Sequence, residues 1–200
     1  MMLSHVVAHL RQYCPSFAQR VAVALEFEPD RGQVRLTVPA AVVMPSDDSA
    51  EPSLAQNVTV QSVTDRFVVV LVVASADAKR GDATADALHG LRAELWRALV
   101  GWRPGDGYEP IEYEGGEVTH MDRSATYYAM TFSAAFVVGF AGGLPSGATP
   151  ETWQEYELAG LPALEGLDVD VDVIDPIADP NIKKPGPDGR IEFNLHEDMP

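Results

Sequence analysis

The sequence predicts an α/β (α+β) protein with a C-terminal β-hairpin extension, and three stretches carry that prediction. The first is Phe67-Val68-Val69-Val70-Leu71-Val72-Val73, the most β-prone run in the chain. Its apolar character is continuous rather than alternating, as expected of a central strand covered on both faces. The second runs from Ala83 to Val100, where Leu88, Leu91, Leu95 and Leu99 recur at steps of three and four and predict an amphipathic helix. Asp82 is placed to cap its start, and Gly101 and Pro104 mark its end. The third lies near the C-terminus. Val169, Val171 and Val173 alternate with Asp168, Asp170 and Asp172, which predicts an amphipathic strand with one acidic face. Pro185-Gly186-Pro187-Asp188-Gly189 is a strong turn signal, after which Ile191, Phe193 and Leu195 alternate with Glu192 and Asn194. Two strands alone bury too little to be stable, so this hairpin needs something to dock on.

Length and charge bound the function. Two hundred residues suit one domain of ordinary size with an extension, or two small domains. An apolar fraction of 46% is enough for a packed core. The formal charge of −16 lacks the basic footprint of a nucleic-acid surface and favours partners with basic surfaces. Residues 141–200 hold thirteen acids and three bases, so the acidity is concentrated there. Composition also changes at Ala141, where Gly142-Gly143 and Pro145-Ser146-Gly147 read as a linker. The expected organisation is therefore a core over residues 1–140 and an acidic extension over 141–200. Cys14 is the only cysteine, so no intramolecular disulfide framework is available, and burial is its plain reading. The N-terminus lacks the pattern of a signal peptide, and no apolar stretch approaches the ~20 residues of a membrane span. A soluble chain, intracellular when made, is expected.

Taken in order, Ser4 reads as the cap of a first helix with Val6, Val7, Leu10 and Tyr13 near one face, stopped by Pro15. Phe17 to Phe27 fits either a helix or a strand. Asp30-Arg31-Gly32 is a turn, and Val34 to Met44 reads as a strand broken or demoted by Pro39, with Ala41 to Met44 its core portion. Pro45 to Asn57 reads as an exposed loop before the long strand. After the second helix, Ile111 to Glu114 and Glu117 to Met121 read as two strands of a hairpin turned at Gly115-Gly116. A second turn near Asp122-Arg123-Ser124 leads to a last core strand, Thr126 to Phe140. In it Tyr128, Met130, Phe132 and Ala134 share one face.

No catalytic, cofactor-binding or metal residue emerges. His5 and His9 share a helix face at a spacing that can bind zinc, but the metalloprotease Glu is missing; a solvated or capping pair is the plain alternative. Asp168, Asp170 and Asp172 have calcium-loop spacing, yet position 173 is Val and position 179 is Asp, so the EF-hand pattern fails. There is no phosphate-binding glycine loop and no nucleophile elbow. Two other function classes remain open at this level. One is a small-molecule enzyme with a site built from His120, Asp122 and Tyr127. The other is a cation-binding adaptor using the Asp168–Asp172 face.

The order of elements, together with Val63-Thr64-Asp65-Arg66-Phe67, Gly101-Trp102-Arg103-Pro104 and Tyr113-Glu114-Gly115-Gly116, resembles the tail terminator (tail completion) proteins of long-tailed bacteriophages over about residues 3–140. Gly186-Pro187-Asp188-Gly189-Arg190-Ile191-Glu192 is similar to the longer members of that group. The resemblance implies a mixed, mainly antiparallel sheet flanked by helices, and a structural virion protein without catalysis, cofactor or metal. It implies a homo-oligomeric ring, usually a hexamer, that caps the tail tube at the head-proximal end, ends tube polymerisation and meets the head–tail connector protein. Synthesis in the host cytoplasm, with no membrane and no sequence-specific nucleic-acid contact, goes with it. A ring needs complementary, non-identical faces. The candidate interface residues are Arg66, Asp168, Asp170, Asp172, Arg190, Ile191, Phe193 and Leu195. The expectation is that residues 165–196 clasp a neighbouring subunit or a connector protein by strand addition.

Overall fold

The computed structural model describes residues 1–25, 37–75, 81–122, 124–162, 166–171, 191 and 193–198. The chain divides into two compact units, Met1–Tyr156 and Glu157–Pro200. The first unit is built on α1 (Leu3–Tyr13), a 3-10 turn (Pro15–Phe17), β1 (Val21–Val23), β2 (Ala40–Ala50), β3 (Gln61–Ala74), α2 (Gly81–Leu99), β4 (Glu112–Met121) and β5 (Ala125–Val138). A short helix, α3 (Trp153–Ala159), crosses the boundary, and β6 (Gly166–Val171) and β7 (Phe193–Asp198) form the second unit's hairpin. The large sheet has the order β1-β2-β3-β5-β4. Only β1 and β2 run parallel, so the sheet is mixed and mainly antiparallel, as expected.

The apolar run at Phe67–Val73 is the middle of β3, paired with β2 on one side and β5 on the other. Phe67, Val69, Leu71 and Val73 face a core made with Val6 and Leu10 of α1 and Leu91, Leu95 and Leu99 of α2. Tyr128, Met130, Phe132 and Ala134 of β5 join the same cluster, on the shared face that the strand period predicts. Burying side chains of this size stabilises by roughly 1.5–3 kcal/mol each. Val70 and Val72 point the other way and are also buried, which accounts for the lack of alternation.

Several boundaries differ from the sequence reading. α1 starts at Leu3, after Met2, with no side-chain cap. Phe17 to Val23 is neither one helix nor one strand: Ala18 and Gln19 take left-handed φ of +44° and +69° and turn the chain from the 3-10 turn into β1. β2 does not stop before Pro45 but continues to Ala50 through a bulge between Pro45 and Asp48. Among the described residues β1 pairs with Ala41–Val43 alone, so no described strand lies beside Pro45 on that side and its missing N–H breaks no described rung.

Gly115-Gly116 is not a turn. β4 runs straight through it as one ten-residue strand, with irregular register between Tyr113 and Gly115 and again between Val118 and His120. The need for glycine there is steric. A Cβ on Gly116 would lie 2.7 Å from the Ala129 carbonyl oxygen and 2.7 Å from the Tyr128 ring. The reversal comes instead at Asp122, whose carboxylate accepts from the N–H groups of Ser124 and Ala125 at 2.6 and 2.8 Å. The expected turns at residues 30–32 and 185–189 lie outside the described residues.

Beyond β5, residues 151–156 are fastened to the first unit. Thr152 and Glu155 form a capping box: Glu155 N–H donates to Thr152 Oγ1 at 3.3 Å, and the Glu155 carboxylate accepts from Thr152 N–H at 3.1 Å. The same buried carboxylate accepts from Phe140 N–H at 2.6 Å and Glu151 N–H at 2.9 Å. Glu151 in turn accepts from Gly139 N–H, and Gln154 bridges Thr59 N–H and the Asn57 carbonyl.

Candidate functional site

The hairpin β6–β7 carries four of the candidate residues. Its register pairs Leu167 with Glu197, Val169 with Leu195 and Val171 with Phe193. Directly opposed residues share a face, so these six make one side of the ribbon and Asp168, Asp170, Asn194 and His196 the other. The polar side is laddered by cross-strand hydrogen bonds, from Asn194 Nδ2 to Asp170 at 2.6 Å and between His196 Nδ1 and Asp168 at 2.5 Å. The apolar side is bare: Phe193 and Leu195 are 61% and 62% exposed. A ribbon of two six-residue strands with an open apolar face has the form of a docking element. Ile191 is exposed just before β7. Asp172 and Arg190 lie outside the described residues.

Arg66 belongs to the first unit, on the sheet face away from the helices. Because β5 separates β3 from β4, its guanidinium crosses a strand to reach Glu114, at 2.9 and 3.1 Å. On the other side it donates to Asp47 at 3.3 Å and Ser49 at 3.2 Å, both on β2. The Glu114 hydrogen bond and then its charge hold the Arg66 guanidinium above its ordinary pKa. Asp47 is held low, first by the Ser46 hydroxyl and its own backbone N–H, and less by Arg66. Arg66 thus clasps β2 and β4 across the sheet.

A surface that the sequence reading missed lies at α3. Trp153 and Tyr156 stack at 5.2 Å and are 71% and 63% exposed. The carboxylate anchors described above hold their backbone in place. Rigidly mounted, exposed aromatics are the residues most enriched at protein contacts. The Thr152-x-x-Glu155 spacing is the sequence signal that could have found this helix.

The residues of the enzyme alternative do come near one another: His120 Nε2 is 3.9 Å from Asp122, and its ring centroid is 5.5 Å from that of Tyr127. Asp122 is occupied by the turn, however, and its pKa is lowered first by the Ser124 hydroxyl and then by the N–H groups of Ala125 and Ser124. Its hydrogen bonds are spent on the turn. His9 stacks on Trp102 at 3.8 Å and bonds the Ala98 carbonyl at 2.9 Å, which ties α1 to the end of α2. Among the described residues, no group of three or more His, Cys, Asp or Glu is arranged to hold a metal ion, and no helix is long and apolar enough to cross a membrane.

No curated protein matches the chain. Among solved structures, a chain described as "Virion of native gene transfer agent (GTA) particle" aligns at 15% identity with a TM-score of 0.41, covering 68% of this chain and 94% of that one. Residues 1–141 match the family model described as phage tail terminator protein, a span that takes in the whole five-stranded sheet and both helices packed on it. The chain therefore belongs to the phage tail terminator family, a family of structural tail proteins.

Proposed function

We propose that this protein forms a closed ring, of six copies, that sits on the head-proximal end of the phage tail tube, stops tube growth and provides the joint to the head–tail connector. The observation that carries the reading is the β6–β7 hairpin, whose open apolar face is presented by strands too few to be stable unaided. In a ring each copy offers one patch and receives another, so a hairpin with an open apolar face on every chain is an element that a rotating, heterologous contact can use. Phe193, Leu195 and Ile191 form the inserted surface, and Asp168 and Asp170 lie on the ribbon's other side; Asp172 and Arg190 are proposed to belong to the same interface. Arg66 keeps the sheet face rigid behind a contact with the tube or the connector. Residues 141–200 serve assembly, and the core 1–140 is the shared body of the ring. The charge of −16 argues against holding DNA through its phosphates.

Mass photometry and negative-stain microscopy of the full chain test this. The expected result is a ring-sized particle, together with tails of uncontrolled length in particles lacking the protein. A monomer at micromolar concentration that leaves tail length unchanged would refute the proposal.

A further inference from the structure

We infer that the surface receiving the hairpin is the β1 margin of the next copy, on the groove flanked by Arg11 and Arg20; the inference rests on the hairpin clasping a neighbour. Among the described residues the five-stranded sheet ends in β4 on one side and β1 on the other. β4 is the longer one, but it carries Glu112, Glu114 and Glu117 and two register irregularities. A hairpin bearing Asp168, Asp170 and Glu197 meets like charge there. Beside β1 the described charged side chains are of the opposite sign, Arg11 and Arg20.

Beside β1 lies a groove of about 320 Å³ floored by Ala22 and Val42 and rimmed by Arg11, Gln19 and Arg20. Val23 and Leu25, further along the chain from β1's start, are also exposed. Both guanidiniums are held in place by carbonyls: Arg11 donates to Val21 O at 3.0 and 2.6 Å, and Arg20 donates to Pro39 O at 2.8 Å. Among the described residues neither forms an ion pair with a carboxylate. In a chain of charge −16, two fixed cations beside an apolar groove stand out.

The hairpin's apolar side has the matching composition. It presents Leu167, Val169, Val171, Phe193 and Leu195, plus one carboxylate, Glu197, opposite Leu167. Phe193 and Leu195 enter the groove, and Glu197 meets the Arg11 and Arg20 guanidiniums. The mode of contact also follows. Arg11 already occupies the outward carbonyl of Val21, so the hairpin docks side chain to side chain and does not add a rung to the sheet.

The test is a charge exchange in the full-length protein, read by mass photometry across a dilution series. Arg20→Glu and Glu197→Arg should each weaken self-association by about ten-fold or more, and the double variant should regain most of it. Circular dichroism melting of each variant confirms that Arg20→Glu still folds. Should that variant fail to fold, Arg11→Glu paired with Glu197→Arg takes its place. A double variant no better than the singles overturns the β1 assignment, as do single variants that assemble like the parent. A chain shortened to residues 1–156 separates the two levels. If it assembles normally, the clasp itself is refuted. If it does not, while the exchange has no effect, the clasp stands and only its receiving surface is wrong. A hairpin that folds back on its own chain would leave the shortened protein's assembly intact and would also count against the inference.

Discussion

Gly139 offers a sharp test of how the region after β5 is held, because a matched control exists four residues on. Gly139 and Gly143 have nearly the same left-handed φ, +88° and +85°. An alanine at either position carries the same backbone strain, about 1–2 kcal/mol. Their surroundings differ completely. A Cβ on Gly143 meets nothing within 4 Å, whereas a Cβ on Gly139 would lie 2.2 Å from the Thr59 carbonyl oxygen and 3.2 Å from Thr152 Cγ2. Relieving that contact means moving the backbone leading into β3 by more than an ångström, and overpacking of this kind adds about 1–3 kcal/mol or more. Gly143→Ala should therefore destabilise by about 1–2 kcal/mol and Gly139→Ala by about 2–5 kcal/mol. At roughly 2–4 °C per kcal/mol for a chain of this size, the two melting temperatures should separate by several degrees. Thermal unfolding followed by circular dichroism, at one protein concentration, reads the difference. Equal shifts for the two variants would refute the close approach of residue 139 to Thr59, and with it the anchored start of α3.

Two further outcomes follow from ionisable groups. Burial pushes the Glu155 carboxyl up, but the N–H groups of Glu151, Phe140 and Thr152 outweigh it, and the folded pKa lies below the ordinary 4.5. A depressed folded pKa adds stability that is present in full above 4.5 and is lost as pH falls through the folded value. Glu155→Gln should lower the urea midpoint at neutral pH and flatten its fall below 4.5; a parallel pH profile would exclude this role. Cys14 is fully buried, and its thiol is pushed up to about 12, first by desolvation and then by Glu94. It should resist alkylation at about pH 8 until urea unfolds the core, and rapid labelling of the native protein would contradict the packing of α1.

Hydrophobic periodicity made the core legible. The unbroken run at Phe67–Val73 and the leucine spacing of α2 need only local patterns, and the Asp/Val alternation at Asp168–Val171 appears directly as the two faces of the hairpin. What stayed hidden depends on strand order. Arg66 and Glu114 are 48 residues apart and meet only because β5 slots between β3 and β4. Gly115-Gly116 carries the composition of a turn, but the demand for glycine comes from Tyr128 and Ala129 on the next strand, which no local window contains. Likewise Pro45 breaks a strand only where both sides are paired, and among the described residues β1 reaches no further than Val43 of β2.

The guanidinium of Arg11 over the Val21 carbonyl has a wider bearing. Sheets with exposed backbone at their edges are prone to run-on, amyloid-like growth. Here the Val21 carbonyl on the β1 side is covered by a fixed cation, and the β4 side is crooked and studded with glutamates. At these two described flanks the molecule offers its own kind little backbone to lengthen, a property that suits the terminating role proposed above.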